Sequence, residues 1–340
     1  MTNSRKLIVP AAGLSSRFGG VAKFLLRHPS GKLMVEAAIS SLGRENLLRL
    51  DEVVVITRSD LLEANELRSA TLEDELATSL GVRARVHLLD STTRSMVETI
   101  TRFIETEESD ASFIIRDTDN YVGLENRNLN ELPPNFLTYA DLRKFPSVSA
   151  ANKGFVQIDG FGQVIGVIEK QIVGPLVYVG TAGFESYSRF LFASQVLGES
   201  PSEHYITDIV RTLISNGSPF GAIEAESYFD WGTEGDWSRE LIARRQFVCD
   251  LEGYLAIVPN SPLPQPADLK PTEHLNDLVH KMRRNPTAEA LILTAVFSSE
   301  HLDELNDWLS SNGIDLNQAR VVNASTGTPK TVLEKSSFWD

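Results

Sequence analysis

The residues best suited to chemistry open the chain: Leu7-Ile8-Val9-Pro10-Ala11-Ala12-Gly13-Leu14-Ser15-Ser16-Arg17, followed by Lys23. A short apolar run, fit for a buried strand, turns abruptly small. Gly13 and the Ser15-Ser16 pair leave room for backbone N–H groups to approach a ligand closely. Arg17 and Lys23 add fixed positive charge just downstream. Strand, small-residue loop and spaced cations together describe a cradle for a polyphosphate. The charge distribution agrees: 46 Asp and Glu against 32 Lys and Arg give a net charge of −14. Yet residues 1–35 hold six Lys or Arg and no carboxylate. A solvated basic N-terminus would not explain why these cations surround a Gly/Ser loop instead of forming a run.

A second constellation is Asp117-Thr118-Asp119-Asn120, directly after the apolar run Ala111–Arg116. Two acids one residue apart at a strand end suit a hard cation. Mg²⁺ takes oxygen ligands, usually one or two carboxylates plus phosphate oxygens. A helix cap or Asx turn accounts for one such Asp and less readily for two. His28, His87 and His204 have no metal-ligand spacing, and Ser15 and Ser16 have no Asp/His partners for a nucleophilic triad; phosphate contact is the simpler role for these hydroxyls.

The loop is neither a Walker A sequence nor the G-x-G-x-x-G dinucleotide fingerprint. Ala11-Ala12-Gly13-Leu14-Ser15-Ser16-Arg17 with Lys23 resembles the signature of the nucleotidyltransferases that make nucleoside-diphosphate sugars: small-small-Gly-x-x-x-Arg, a spacer, then Lys. Ala22 departs from it, standing where a Pro commonly precedes the lysine. The resemblance implies that Ala11, Ala12, Gly13, Ser15 and Ser16 bind the nucleotide and that Arg17 and Lys23 hold its triphosphate. It implies a Mg²⁺ site at Asp119-Asn120 with Asp117 beside it, completed by Asp230 of Asp230-Trp231-Gly232-Thr233. A helix start with Asp236 in its first turn is compatible with that role. Glu169-Lys170 is similar to the family's Glu-Lys pair, so Lys170 would take the acceptor phosphate and Glu169 a sugar hydroxyl. A solvated ion pair is the competing explanation. Gly180 and Thr181, in Tyr178–Phe184, resemble the sugar-pocket strand. Tyr205-Ile206-Thr207-Asp208 is similar to the family's Glu-Ile-Thr-Asp helix, with Tyr205 replacing the acid. The main departure is Met96, where the family presents a glutamine to the nucleobase. A thioether donates no hydrogen bond, so base selection passes to Arg94 or loop backbone, or is relaxed.

These groups need elements to position them. Helices are expected over Met34–Leu42, Leu61–Leu80 and Val97–Thr106. Strands are expected over Asp51–Thr57, Val82–Leu89 and Ala111–Arg116. The alternation implies an α/β fold with a doubly wound, mostly parallel sheet, Rossmann-like in the terms of the resemblance. Ligands bind beyond the carboxyl ends of such strands. From Val148 the short runs Val148–Ala151, Gly154–Asp159 and Val164–Lys170, with a hairpin signal at Asp159-Gly160-Phe161-Gly162, predict an antiparallel insertion walling a substrate pocket. Helices follow at Tyr187–Val196 and Tyr205–Ser215, then closing strands at 220–230.

Two domains are expected, 1–245 and 246–340. In the second, Gln246–Leu255 resembles the first motif of haloacid-dehalogenase-type phosphatases, with Asp250 as nucleophile but Glu252 and Tyr254 replacing an Asp and a Thr. Ala290–Thr294 with a helix from Glu300 to Asn312 looks like the second motif, and Lys330 like the third. The fourth is missing, which implies a small α/β module, degenerate or truncated, without phosphatase activity. An apolar content of 42%, one cysteine (Cys249), and no membrane-length or secretory apolar segment place the protein in the cytoplasm. The acidic balance argues against general nucleic-acid or anionic-membrane binding, though not against a nucleotide substrate, and no nucleic-acid or membrane partner is expected; self-association is left open. The expected activity is Mg²⁺-dependent transfer of a nucleotidyl group from a nucleoside triphosphate to a sugar 1-phosphate. The alternatives are a catalytically impaired regulator that binds sugar nucleotides and, less compatible with the loop, a glycosyltransferase.

Overall fold

The computed structural model describes residues 5–13, 18, 22–28, 32–124, 126–146, 148–198, 203–243, 246–261, 263–284, 289–316 and 318–323. In chain order its first elements are β1 (Lys6–Pro10), α1 (Met34–Ser40), α2 (Arg44–Leu47), β2 (Glu52–Arg58), α3 (Ser59–Glu63), α4 (Ser69–Leu80), β3 (Ala84–Leu89), α5 (Met96–Ile104), β4 (Phe113–Arg116) and β5 (Asn120–Val122). There follow β6 (Phe136–Asp141), β7 (Gly154–Ile158), β8 (Val164–Glu169), β9 (Leu176–Phe184), α6 (Tyr187–Leu197), α7 (Ile206–Ser215), β10 (Gly221–Glu224), β11 (Tyr228–Asp230) and α8 (Glu234–Ala243). The chain divides within α8 into two units, Met1–Trp237 and Ser238–Asp340.

The sheet of the first unit has the order β10-β6-β9-β4-β1-β2-β3, with β7 and β8 attached through β9. The pairings of β1 with β2 and β4, of β2 with β3, and of β6 with β10 are parallel; β9 runs antiparallel to both β4 and β6. This is the expected α/β fold with a mostly parallel sheet. Its consecutive apolar residues follow from burial on both faces. Leu7, Val9, Val53, Val55 and Ile114 face one core, completed by Val35 and Ile39 of α1 and Leu72, Leu76 and Leu80 of α4. Ile8, Val54, Ile56, Phe113 and Ile115 face the other, with Ile100 and Phe103 of α5, Phe190 of α6, and Ile209 and Leu213 of α7. Strand order runs outward from β1 through β2 to β3 and then returns to β4 on the other side of β1. Such a switch point opens a crevice beyond the strand ends. The loop after Pro10 and the segment after Arg116 both start there.

Two expectations are corrected. The helix expected over Leu61–Leu80 is two helices, α3 and α4, separated where Glu66 takes φ 54° and Asn65 turns its side chain back to Leu61 O at 2.8 Å. Among the described residues of 148–151 there is no strand. Instead β6 enters the sheet between β9 and β10, and because it is buried on both faces it has no polar–apolar alternation to announce it. The antiparallel insertion itself forms as β7 and β8, paired from Gly154–Glu169 onward.

At the amino edge of β1 and β3, Glu107 bonds Lys6 and, at 2.9 Å, Arg85, which also reaches Glu52 at 3.1 Å. Burial disfavours charge on Glu107, but the hydrogen bonds from Lys6 and Arg85 outweigh it and hold the carboxyl below its ordinary 4.5. A depressed folded pKa contributes stability above the unfolded value that is lost as pH falls through the folded one. Glu107→Gln is therefore expected to cost about 1–2 kcal/mol at pH 7, with the difference from wild type fading below pH 4.5 in urea titrations.

The second unit runs β12 (Gln246–Asp250), β13 (Ala256–Ile257), β14 (Lys270–Pro271), α9 (Glu273–Arg284), β15 (Glu289–Thr294), α10 (Leu302–Ser311) and β16 (Ala319–Asn323). β12, β15 and β16 form a parallel sheet around its own core of Leu251, Leu275, Leu278, Ile292, Leu305 and Leu309. Asp250 stands exposed at the end of β12. Glu252 accepts hydrogen bonds from the Thr294 hydroxyl and from the backbone N–H groups of Ala295 and Val296 at 3.2 and 3.3 Å, tying down the turn after β15. Lys330 lies outside the described residues. Among the described residues no helix is long and apolar enough to cross a membrane.

Candidate active site

The crevice beyond β1 and β4 is a cleft of about 570 Å³, within the ~300–1,000 Å³ usual for small-molecule sites. Ala11, Ala12 and Gly13 line it. Their backbone is pinned: Ala11 N–H donates to Ile56 O at 2.7 Å, and Arg58 Nη1 to Ala12 O at 3.1 Å. A Cβ on Gly13 would meet no protein atom within 4 Å. Leu14, Ser15, Ser16 and Arg17 lie outside the described residues. Lys23, in a single 3-10 turn, places its ammonium on the Asp119 carboxylate.

Asp119 and Asp230, far apart in sequence, meet because β5 pairs antiparallel with β11 and sets Asn120 opposite Asp230. Trp231 N–H donates to Asp119 O at 2.9 Å, locking the register. A Cβ on Gly232 would lie 3.2 Å from Asp230 Oδ1 and 3.5 Å from Asp119 Oδ2, so the two carboxylates converge on one small volume. Thr233 caps α8, accepting from Asp236 N–H at 3.1 Å and donating to the Asp236 carboxylate at 2.6 Å. Asp236 is thus engaged in the helix cap, while both it and Asp230 line the cleft.

Beneath them Arg116 is fully buried. Its guanidinium bonds Ala38 O at 3.1 Å, Ser41 Oγ at 3.2 Å, Asn120 O at 2.7 Å and the Asn120 side chain. Asn120 is thus held inward as a structural partner. Burial pulls Arg116 down to about 10, against the opposing pull of Asp117 and Asp119. Asp117 lines the cleft, and its Oδ1 is buried without a partner. Burial first, then the charge of Asp119, pushes its carboxyl up to about 7. Gly180 has φ +84°, and a Cβ there would lie 2.5 Å from Asp117 Oδ2 and 2.6 Å from Asn120 Nδ2. Its small size makes room for the acid segment, a reason invisible in the sequence.

On the insertion side, Glu169 accepts from Thr207 Oγ1 at 2.6 Å, and Lys170, at φ 56°, bonds the Tyr205 hydroxyl. Burial raises the Glu169 carboxyl; the hydrogen bond to Tyr205 leads in raising Lys170. Both residues line the cleft, as do Met96 and Arg94 at the start of α5. Arg94 is tied to Glu98 through its backbone N–H at 2.7 Å and its Nε at 3.2 Å. Thr181 is fully buried in β9, with its amide and carbonyl bonded to Thr138, and is not among the cleft residues. Its expected role as a substrate contact is not one its position allows.

Sequence reasoning missed Lys153. Its ammonium sits 2.6 Å from Asp230 Oδ2 and donates to the Tyr228 hydroxyl at 2.9 Å. Burial opposes its charge, but Tyr228 and Asp230 outweigh that and raise its pKa. A single lysine before a glycine carries no signal of this contact.

The partnerless buried Asp117 Oδ1 and the converging Asp119 and Asp230 are hard oxygen donors fit for Mg²⁺. Among the described residues no cluster of three or more His, Cys, Asp or Glu is placed to bind a metal, so any cation there takes its remaining ligands from substrate or water.

No family model and no curated protein sequence matches the chain. Solved structures do. The nucleoside-diphosphate-sugar pyrophosphorylase of Vibrio cholerae RC9 is 18% identical with a TM-score of 0.58, over 69% of this chain and 99% of that one. The inositol-1-phosphate CTP transferase of T. maritima is 13% identical with a TM-score of 0.54, over 69% and 91%. A UDP-glucose pyrophosphorylase solved with UDP-glucose is 12% identical with a TM-score of 0.53, over 70% and 97%. At these identities the likeness is one of fold: a mixed α/β architecture with a mostly parallel central sheet, shared with nucleotidyltransferases. The dehalogenase-type resemblance of the tail has no support in these comparisons.

Proposed function

We propose that the protein transfers a nucleotidyl group from a nucleoside triphosphate to a sugar 1-phosphate, or to a similar phosphate such as phosphocholine, with Mg²⁺ and release of pyrophosphate. The observation that carries this reading is the convergence of Asp119 and Asp230 at Gly232, beside Lys23 and the Ala11-Ala12-Gly13 loop. The three structural neighbours, two pyrophosphorylases and a CTP transferase, support the reaction kind.

An acceptor phosphate oxygen attacks the α-phosphorus, the bond to the bridging oxygen breaks, and pyrophosphate leaves with the electron pair. The attacking oxygen is already anionic at pH 7, so no general base is required. Positioning and charge neutralisation do the rest. Asp119 and Asp230 would hold the divalent cation, with Asp117 beneath them, and the bound cation would neutralise phosphate charge. Ala11, Ala12, Gly13, Ser15 and Ser16 would present backbone and hydroxyl donors to the triphosphate. Arg17 and Lys23 would stabilise the departing pyrophosphate, and Lys170 would steer the acceptor phosphate, with Glu169 on a hydroxyl of its sugar. Arg94 is the candidate for contact with the base.

The test is a pyrophosphate-release screen of the four common nucleoside triphosphates against a panel of sugar phosphates and phosphocholine. Turnover with one pair is expected. Nucleotide binding by calorimetry without release in any pair would replace this reading with that of a regulator, the role that Met96 at the base site favours. Lys170→Ala is expected to raise KM for the acceptor phosphate about tenfold or more while leaving KM for the nucleotide near wild type, as loss of one charged hydrogen bond implies.

A further inference from the structure

Asp119 and Asp230 each already carry a lysine. Lys23 reaches Asp119 from the turn after the first loop, and Lys153 reaches Asp230 from the residue before β7. The second pair is the more enclosed, with side chains 17% and 13% exposed. Both Asp230 oxygens are engaged, Oδ2 by Lys153 and Oδ1 by the Gly232 N–H at 3.2 Å. Lys153 is itself fixed, by the Tyr228 hydroxyl and by its carbonyl, which accepts from Lys170 N–H at 2.9 Å. Oδ1 is the oxygen that faces Asp119 across Gly232. A divalent cation held there shares one carboxylate with a resident ammonium. At such separations, in a partly desolvated cleft, the repulsion between them is large.

We infer that Lys153 is a built-in counter-ion of Asp230 that competes with the divalent cation, so that the free protein binds the cation weakly and binds it well only when a polyphosphate arrives to draw the ammonium away. Lys153 is thereby a positioning residue: it keeps Asp230 oriented before nucleotide binds and couples cation binding to nucleotide binding. The coupling is reciprocal, because whatever weakens the Lys153–Asp230 pair strengthens the cation site. The inference rests on the proposed function for the identity of the polyphosphate, and on the geometry alone for the competition.

The test is Mn²⁺ binding to the full chain without nucleotide, read from the electron paramagnetic resonance signal of free Mn²⁺. Lys153→Met is expected to bind Mn²⁺ at least tenfold more tightly than wild type, and Lys153→Arg within about threefold of it. A non-hydrolysable nucleoside triphosphate should tighten Mn²⁺ binding more in wild type than in Lys153→Met. Lys153→Gln, which loses the charge but keeps a donor, serves if the methionine variant fails to fold. Equal or weaker Mn²⁺ binding in a folded neutral variant overturns the inference. Asp230→Asn separates the two levels. If it leaves Mn²⁺ binding unchanged, the cation site itself is misplaced and the proposed function loses its support. If it weakens binding while the neutral Lys153 variants do not tighten it, only the competition falls.

Discussion

Asp230→Asn is expected to slow pyrophosphate release by on the order of 10²–10³. The amide is isosteric with the carboxylate, so the hydrogen bond from Gly232 N–H, the β5–β11 pairing and the cap of α8 all persist. What disappears is one of the two charges converging at Gly232, the same charge that balances the Lys153 ammonium. In the proposed reaction the loss should fall on kcat as well as KM, because the missing charge would act on phosphate oxygens throughout the transfer. A thermal melt confirming a folded variant at the assay temperature separates chemistry from folding. Activity within threefold of wild type would remove Asp230 from the machinery.

Gly180→Ala should destabilise the first unit by about 3 kcal/mol and abolish activity in the same stroke. Part of the cost is backbone, since φ +84° is unfavourable for an L side chain. The remainder is collision, because the new methyl would press on Asp117 and Asn120. Neither neighbour yields easily: Asp117 is enclosed, and its N–H donates to Gly180 O at 2.8 Å, while Asn120 is clamped by Arg116. Relief requires the 117–120 segment to move, carrying Asp119 away from Asp230. Urea unfolding reads the first effect and pyrophosphate release the second. A variant as stable as wild type would show that the acid segment is looser than its hydrogen bonds indicate.

Much of this molecule was legible from local sequence. The run Leu7-Ile8-Val9 is a strand buried on both faces because three adjacent apolar residues leave no face for water, and the structure divides them between two cores. The strand ends that carry Gly13 and Asp117 were equally readable, because an abrupt change from apolar to small or acidic residues marks where a strand leaves the sheet. The insertion showed itself through turn residues between short alternating runs. Where local signals were missing, reading the sequence failed. β6 has no alternation, and the break between α3 and α4 has neither Gly nor Pro to mark it.

The sequence alone determined the identity of the chemical groups: which residues carry charge, which loop is small enough to admit a polyphosphate, and which strands end in acid. Only the tertiary structure decided which of those groups face one another. The convergence of Asp119 with Asp230 depends on the β5–β11 pairing, and the capture of Asp230 by Lys153 joins residues from separate parts of the chain. Thr181, expected to contact substrate, is fully buried, and the fully buried Arg116 clamps Asn120 beneath the site. The physical reason is that periodicity and turn chemistry act over a few residues, whereas a charged site is set by long-range strand pairing and by burial, which no short window of sequence contains.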